Sequence, residues 1–253
     1  DLHSFPTRRS SDLLVQLIVD VNGGSAITTT FTGSFEGVAD DEDGSLPTIS
    51  GLTHALFNTI DGGTVKNIIL DNVKITSGTN VGAICNEATG DTRIYNCGIL
   101  ATSSTVEKDD DGYDYISSCS SSISGSGYVG GIVGLLDGRS RVINCFSYAE
   151  IKDGSEVGGI VGRNNVATNA NSEDTDHYLK TMVMNCMFYG DITGGTSKAP
   201  IYNGEIISNV GETGVGNYNY FLADATFSDG IDTYNCALLA DRKSGSAGMP
   251  RPI

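Results

Sequence analysis

An Asn-centred pattern recurs along the chain and constrains its fold more than any other feature. The pattern is an apolar residue, any residue, Asn, and then Cys or Ile. Its copies are Val65-Lys-Asn-Ile68, Ile94-Tyr-Asn-Cys97, Val142-Ile-Asn-Cys145 and Val183-Met-Asn-Cys186, with a weaker Thr233-Tyr-Asn-Cys236. A sequence unit that recurs in this way indicates one supersecondary motif that stacks on copies of itself.

A second, glycine-rich pattern alternates with the first. Its copies are Val81-Gly-Ala-Ile84, Val129-Gly-Gly-Ile132 and Val157-Gly-Gly-Ile160, with Lys198-Ala-Pro-Ile201 as a degenerate copy. From Asn to this block is 13 or 14 residues, and from the block to the next Asn is 15, so one unit is 28 or 29 residues long. The longer intervals predict insertions near 104–126, 165–178 and 204–230.

The unit length, the turn-rich joints and the lack of a helical period predict an all-β chain that folds as a parallel β-helix (β-solenoid) of about 28–29 residues per coil. Residues at equal positions of successive units should then stack in columns. We expect the asparagines to form a structural ladder, because a side-chain amide both donates and accepts hydrogen bonds and Asn tolerates the left-handed conformation of a sharp bend.

Four of the six cysteines, Cys97, Cys145, Cys186 and Cys236, share one repeat position, which Ile68 occupies in the first unit. Exchange with Ile favours small buried apolar residues, although strands about 4.8 Å apart leave oxidation of a neighbouring pair open. Cys85 and Cys119 lie off this column. Without a Cys-x-x-Cys pair or a nearby His, we assign no zinc site and no other cofactor.

Both ends of the chain match translated short-read sequencing adapters. We therefore expect residues 1–13 and 241–253 to be non-native, and the natural protein to be represented by a single β-solenoid domain over 14–240, with first coils at 14–63 and repeat coils at 64–240. Without these ends, acids fall from 31 to 28 and bases from 15 to 10, and the net charge moves from −16 to −18. Such a surface repels nucleic acid and anionic membranes, and no apolar run approaches the roughly 20 residues of a membrane-spanning helix.

A family resemblance adds to this interpretation. The segments Phe31-x-Gly33-x-Phe35-x-Gly37 and Ile49-Ser-Gly-Leu52, followed by the Val-Gly-Gly-Ile-Val-Gly and Ile-Asn-Cys-Phe patterns, resemble bacterial surface and secreted proteins that carry GLUG-type repeats. The resemblance covers most of residues 31–192. It implies a right-handed parallel β-helix, an extracellular or cell-surface location and an adhesin-like role, and it supplies no catalytic residue.

Two acidic segments are candidate calcium loops. Asp40-Asp-Glu-Asp-Gly44 fails because Ala39 and Ser50 stand at the first and last ligand positions, so a solvated turn is expected. Glu107-Lys-Asp-Asp-Asp-Gly112 fits better, with Glu107, Asp109 and Asp111 as ligands, but Ser118 replaces the final Glu. A charged loop is favoured there, and no metal is assigned.

The favoured function is an adhesin-like or surface-display module that binds a glycan or a surface protein through its inserted loops. The candidate binding residues of these loops are Tyr113 and Tyr115 in the first insertion and Glu173, Asp174, Asp176, His177 and Tyr178 in the second. One alternative is a carbohydrate-active β-helix enzyme, a polysaccharide lyase or glycoside hydrolase. Such an enzyme would need paired carboxylates, and Asp110 with Asp174 is the candidate pair. The expected natural segment contains only two histidines, His54 and His177. The other alternative is a non-binding structural spacer. We therefore expect no enzymatic activity, and the sequence makes no prediction of the oligomeric state.

Overall fold

The computed structural model describes residues 13–108, 110, 112, 114–165, 181–204, 220–222 and 237–239. Over these residues the chain is a parallel β-helix built from short strands, as the repeat predicts. The described residues contain no helix, and therefore none that is long and apolar enough to cross a membrane.

Five parallel sheets, numbered here in the order in which a coil passes through them, run along the axis of the β-helix. Sheet 1 contains β1 (Leu14–Leu17), β3 (Ser34–Gly37), β6 (Thr64–Lys66), β11 (Arg93–Tyr95), β18 (Arg141–Ile143) and β23 (Met182–Met184). Sheet 2 contains β2 (Val21–Asn22), β4 (Thr48–Ser50), β7 (Ile69–Asp71), β12 (Gly98–Leu100), β19 (Phe146–Ser147), β24 (Met187–Phe188), β27 (Tyr220–Leu222) and β28 (Ala237–Leu239).

The remaining sheets complete the coil. Sheet 3 contains β8 (Lys74–Ile75), β15 (Ser122–Ser124) and β20 (Glu150–Lys152). Sheet 4 contains β9 (Asn80–Val81), β16 (Tyr128–Gly130), β21 (Glu156–Gly158) and β25 (Ser197–Ala199). Sheet 5 contains β5 (Phe57–Asp61), β10 (Cys85–Thr89), β17 (Val133–Leu136), β22 (Val161–Asn164) and β26 (Tyr202–Gly204).

The strand register confirms the alignment of the repeats. The apolar residue that opens each Asn pattern pairs with its counterpart one coil away, and all of them are fully buried: Val65, Ile94, Val142 and Val183. The degenerate copy also keeps register, since Lys198 pairs with Val157. Each apolar side chain removed from water in this way stabilises the fold by about 1.5–3 kcal/mol before the entropy of ordering is counted.

The glycine pairs lie where the backbones of successive coils approach closely. A Cβ atom added at Gly131 would collide with the carbonyl oxygen of Gly159 and with the side chain of Ser147. Ala83 stands at the equivalent position one coil earlier and is fully buried. Because the neighbouring coil leaves little space for a side chain, only a small residue such as Gly or Ala fits at this position of the coil.

The first insertion is shorter than the predicted 104–126. It contains an antiparallel hairpin of β13 (Thr105–Lys108) and β14 (Asp114–Ser118). Strand β15 then rejoins the coil, because Ile123 pairs with Ile75 on one side and with Ile151 on the other and is fully buried. The surrounding serines hide this strand in the sequence, since Ile123 is the only apolar residue of β15.

Several predicted features fall outside the described residues. These are most of the second insertion, most of the third insertion, Asn235 with Cys236, and both adapter-like ends apart from Leu13. The domain boundaries at 13/14 and 240/241, and the right-handed winding of the coil, stay predictions.

Candidate binding surface

The asparagine ladder is present and runs along the corner between sheet 1 and sheet 2. The side-chain amide nitrogen (Nδ2) of Asn96 donates to the Oδ1 of Asn67 at 3.2 Å, that of Asn144 to Asn96 at 3.1 Å, and that of Asn185 to Asn144 at 2.5 Å. Asn96, Asn144 and Asn185 are exposed, so the ladder lies on the surface rather than under a buried turn. Each coil thereby presents an amide group to solvent at the same corner.

The backbone explains why this corner requires Asn. Asn67, Asn96, Asn144 and Asn185 have φ angles of 58°, 52°, 56° and 54°. This left-handed conformation is costly for most L-residues, and Asn is among the few that adopt it readily. One side chain therefore satisfies two demands, the turn and the hydrogen bond between coils.

An aromatic cluster occupies the outer face of sheet 2 beside the ladder. It consists of Phe146, Tyr148 and Tyr189, all half-buried. The rings of Tyr148 and Tyr189 stack with centroids 4.8 Å apart and planes 8° from parallel, while Phe146 meets Tyr148 edge-on at 6.0 Å. Aromatic side chains that are partly exposed on a rigid sheet are typical of binding surfaces.

The neighbouring positions extend this surface. Phe146 projects over Gly98 of the previous coil, which has no Cβ to obstruct the ring. Met187 follows Phe146 in register on the next coil, and Leu100 lies in β12 on the same outer face as Tyr148. Inward and outward residues alternate along a strand, so the aromatic cluster was visible in the sequence at the second and fourth positions after Asn144 and at the fourth after Asn185. A binding surface at these positions was not predicted.

The cysteine column lies directly inside the ladder. Cys97, Cys145 and Cys186 are free and buried, as predicted, and each thiol donates to the carbonyl oxygen two residues earlier, at 3.3, 3.4 and 3.4 Å respectively. Burial raises the pKa of Cys97 and Cys186 well above the usual thiol value. Cys97 and Cys186 are therefore core residues with little nucleophilic character.

A polar network anchors the first insertion to the coil. The carboxylate of Asp71, which is 7% exposed, accepts hydrogen bonds from the backbone N–H of Thr102 at 3.0 Å, from the Thr102 hydroxyl and from Asn72 Nδ2 at 3.0 Å. The hydroxyl of Ser121 donates to the Leu100 carbonyl at 2.5 Å and accepts from the Val73 N–H at 3.1 Å. Both ends of the inserted segment are thus held by the preceding coil.

The acidic segments behave as turns and strands. In the first, Asp40 Oδ1 accepts from the Glu42 N–H at 2.7 Å and Asp43 Oδ1 from the Ser45 N–H at 2.8 Å, which confirms an exposed turn. In the second, Glu107 lies in β13 and pairs with Tyr115 across the hairpin, so it does not open a calcium loop. Asp109 and Asp111 lie outside the described residues.

Only some of the carboxylates and histidines of the enzyme alternative lie within the described residues. Asp110 is exposed in the hairpin turn, and Asp174 and His177 lie outside the described residues. His54 contacts the backbone instead, through Nδ1 to the Ala55 carbonyl at 2.9 Å and Nε2 to the Gly24 carbonyl at 3.0 Å. Across the described part of the chain, no three His, Cys, Asp or Glu side chains are grouped so that they could hold a metal ion.

A family-model comparison then places the N-terminal part of the chain. Residues 10–100 match the N-terminal region of the M26 IgA1-specific metallo-endopeptidases. The matched segment runs from the start of the first coil through the second Asn pattern. It therefore covers the first coils and the beginning of the ladder.

Curated relatives agree with this match. An immunoglobulin A1 protease of Streptococcus sanguinis is 34% identical over 154 residues, which is 56% of this chain and 7% of that protein. An immunoglobulin A1 protease of Streptococcus pneumoniae is 29% identical over 189 residues, covering 67% of this chain and 9% of the relative. Another, from Streptococcus pneumoniae serotype 4, is 26% identical over 257 aligned positions, covering 86% and 12%. The chain thus spans only a small part of these proteins, and no solved structure matches it.

The comparisons correct the family assignment made from the sequence. The assignment to GLUG-type repeat proteins is wrong, because the matching model is that of the M26 N-terminal region and the relatives are immunoglobulin A1 proteases. The β-helical fold implied by that resemblance is nevertheless the fold observed. Stacked Asn and Gly patterns report the geometry of a coil, which unrelated families can share.

Proposed function

We propose that this chain is a non-catalytic, adhesin-like recognition module from the N-terminal region of a secreted or surface-held bacterial metallo-endopeptidase. The observation that carries the proposal is the match of residues 10–100 to that N-terminal region. The described residues support a binding role because they offer a partly exposed aromatic surface on a rigid sheet.

The geometry supports binding of a glycan or a protein to one side of the β-helix. A stack of parallel strands is a stiff scaffold, and the aromatic cluster and the anchored hairpin are fixed on it. Tyr, Phe and Met are enriched in protein interfaces, while charged residues are depleted from interface cores. The net charge of −16 makes nucleic acid an unfavourable partner.

The relatives' name supplies the first target to test, which is immunoglobulin A1. The purified chain would be passed over immobilised immunoglobulin A1 and, in parallel, over a glycan array. We expect saturable binding to at least one of them, weakened at least tenfold in a Tyr148→Ala/Tyr189→Ala variant. The control variant is Val38→Ala, which removes an exposed side chain on a distant coil.

A cleavage assay completes the test. Incubation of immunoglobulin A1 with the chain alone should leave the antibody intact, and oligosaccharides should release no new reducing ends. Cleavage of either substrate would overturn the non-catalytic assignment. Absence of binding to every target would instead favour the structural-spacer alternative.

A further inference from the structure

Two arginines stand one above the other on the outer face of sheet 1. Arg93 in β11 and Arg141 in β18 are register partners on neighbouring coils. The residues that follow them, Ile94 and Val142, are fully buried, so alternation directs both arginine side chains outward. Neighbouring strands are about 4.8 Å apart, which brings two positive charges to one place on an acidic protein.

This basic column is only two residues long. Thr64 precedes Arg93 in register, and Met182 follows Arg141. The column is therefore a discrete site rather than a continuous basic stripe. A discrete pair of guanidinium groups suits a single anionic group better than a polyanion.

The two arginines differ in how their charge is balanced. Arg93 donates to Asp91 Oδ2 at 2.8 Å, and Asp91 Oδ1 is buried without a hydrogen-bond partner among the described residues. The Nε of Arg141 is likewise buried and has no hydrogen-bond partner in that part of the chain. Arg139, two residues before Arg141, is exposed and adds a third positive charge, while Asp137 accepts from the Gly138 N–H at 2.6 Å. A partly desolvated guanidinium without an acceptor is unfavourable, and a carboxylate is the group that matches its geometry.

Two further kinds of side chain, apolar groups and amides, lie beside the arginines on the same pair of coils. Tyr95 and Ile143 are half-buried and lie two residues after Arg93 and Arg141 on the same face. The exposed amides of Asn96 and Asn144 come next, at the corner. A cationic group, an apolar surface and a hydrogen-bonding amide thus lie side by side on the surface of these two coils.

We propose that Arg93, Tyr95, Asn96, Arg141, Ile143 and Asn144 form a binding site for an acidic sugar unit of a glycan. The arginines would bind its carboxylate, Tyr95 and Ile143 would contact the apolar face of the sugar ring, and the asparagine amides would bond to its hydroxyl groups. The proposal deepens the recognition role proposed above and rests on it. An isolated carboxylate on an otherwise neutral glycan fits best, because the net charge of −16 repels polyanions at long range.

Titration of the full chain with defined probes tests this site. The probes are a trisaccharide that ends in N-acetylneuraminic acid, the same oligosaccharide without that unit, free glucuronic acid and a tetraglutamate peptide. Binding would be measured by calorimetry and by saturation-transfer NMR. We expect the acidic trisaccharide to bind about tenfold or more tightly than its neutral counterpart, because only the acidic one has a carboxylate that can pair with the guanidinium groups.

Variants separate the site from the fold. Arg141→Gln should weaken binding of the acidic trisaccharide at least tenfold, and Arg141→Lys should weaken it less, because lysine keeps the charge but not the paired N–H donors. The matched control is Arg163→Gln, since Arg163 pairs with Glu156 and lies 5.2 Å from the Tyr128 ring centroid on another face. Circular dichroism and urea unfolding would show that each variant is folded.

Equal affinity for the acidic and neutral oligosaccharides, or no effect of Arg141→Gln, would overturn the site. Equal binding of tetraglutamate would also overturn it, in favour of an acidic peptide. If the acidic sugar fails to bind while immunoglobulin A1 still binds, the site is refuted and the recognition role stands. If neither binds, both proposals fall.

Discussion

Asn144 donates its side-chain amide to Asn96 at 3.1 Å although 48 residues separate them in the chain. The next contact, from Asn185 to Asn144, spans 41 residues. The hydrogen bonds join equal positions on successive coils, so insertions of different length do not disturb them. The ladder therefore reports the register of the coils from Asn67 to Asn185.

Substitutions of Asn144 should show whether its left-handed backbone conformation or its hydrogen bonds between coils contribute more to stability. In Asn144→Ala, the left-handed φ of 56° should cost about 1–2 kcal/mol and the loss of two exposed amide hydrogen bonds about 1 kcal/mol more. Asn144→Gly keeps the backbone conformation and loses only the hydrogen bonds, so it should be destabilised by about 1 kcal/mol less than the alanine variant. Urea unfolding of both variants gives the comparison, and equal stability of the two would contradict the role assigned to the backbone.

A core substitution should show that the stack of apolar columns holds the fold together. Leu70 is fully buried between Ile49 and Ile99 of neighbouring coils. Leu70→Ala should lower the free energy of unfolding by about 2–5 kcal/mol, because the cavity cannot close completely. Val106→Ala, in the exposed hairpin at 57% exposure, should change it by less than about 0.5 kcal/mol.

The Asp71 network should control the order of the first insertion. Asp71→Ala leaves the Thr102 N–H without its acceptor, at a cost of about 1–3 kcal/mol, and frees one end of the hairpin. Limited proteolysis should then cleave within residues 105–118 faster than in the unmodified chain. Asp110→Ala, at the exposed turn of the same hairpin, should leave the cleavage rate unchanged.

The described thiols should differ sharply in reactivity. Cys85, Cys97, Cys145 and Cys186 are buried, whereas Cys119 is partly exposed. Brief alkylation of the native protein at neutral pH, read by mass spectrometry, should modify Cys119 before the other four. Modification of all five at equal rates without denaturant would show that the cysteine column is open to solvent.

Alkaline pH should destabilise the fold through the buried Cys85 thiol. Burial, with a smaller contribution from the Glu87 charge, raises the pKa of Cys85 above its ordinary value. Because the folded-state pKa lies above that of an unfolded thiol, about 8.5, the stabilising contribution is complete below that pH and is lost as the pH rises further. The free energy of unfolding should fall above about pH 8.5, and Cys85→Ala should show a shallower decline. An identical pH dependence in the variant would assign the decline to other groups.

The repeated pattern was sufficient to predict the parallel β-helix, the Asn ladder and the buried cysteines, because equal positions of a coil face equal surroundings. The hairpin boundary was not predictable in the same way. Ile123 stands alone among serines, and only its pairing with Ile75 and Ile151 identifies β15 as part of the coil. The family was misassigned for a related reason, since coil geometry constrains sequence in the same way whatever the protein does.

The sequence by itself determined the coil length, the inward columns and the left-handed corners, since these follow from side-chain alternation and from the conformational range of Asn and Gly. Tertiary structure alone decided which outward residues become neighbours. Tyr189 joins Phe146 and Tyr148, and Arg93 lies beside Arg141, only because parallel strands bring residues from different coils to about 4.8 Å. A surface of this kind depends on stacking across the strands, and no single stretch of the chain contains it.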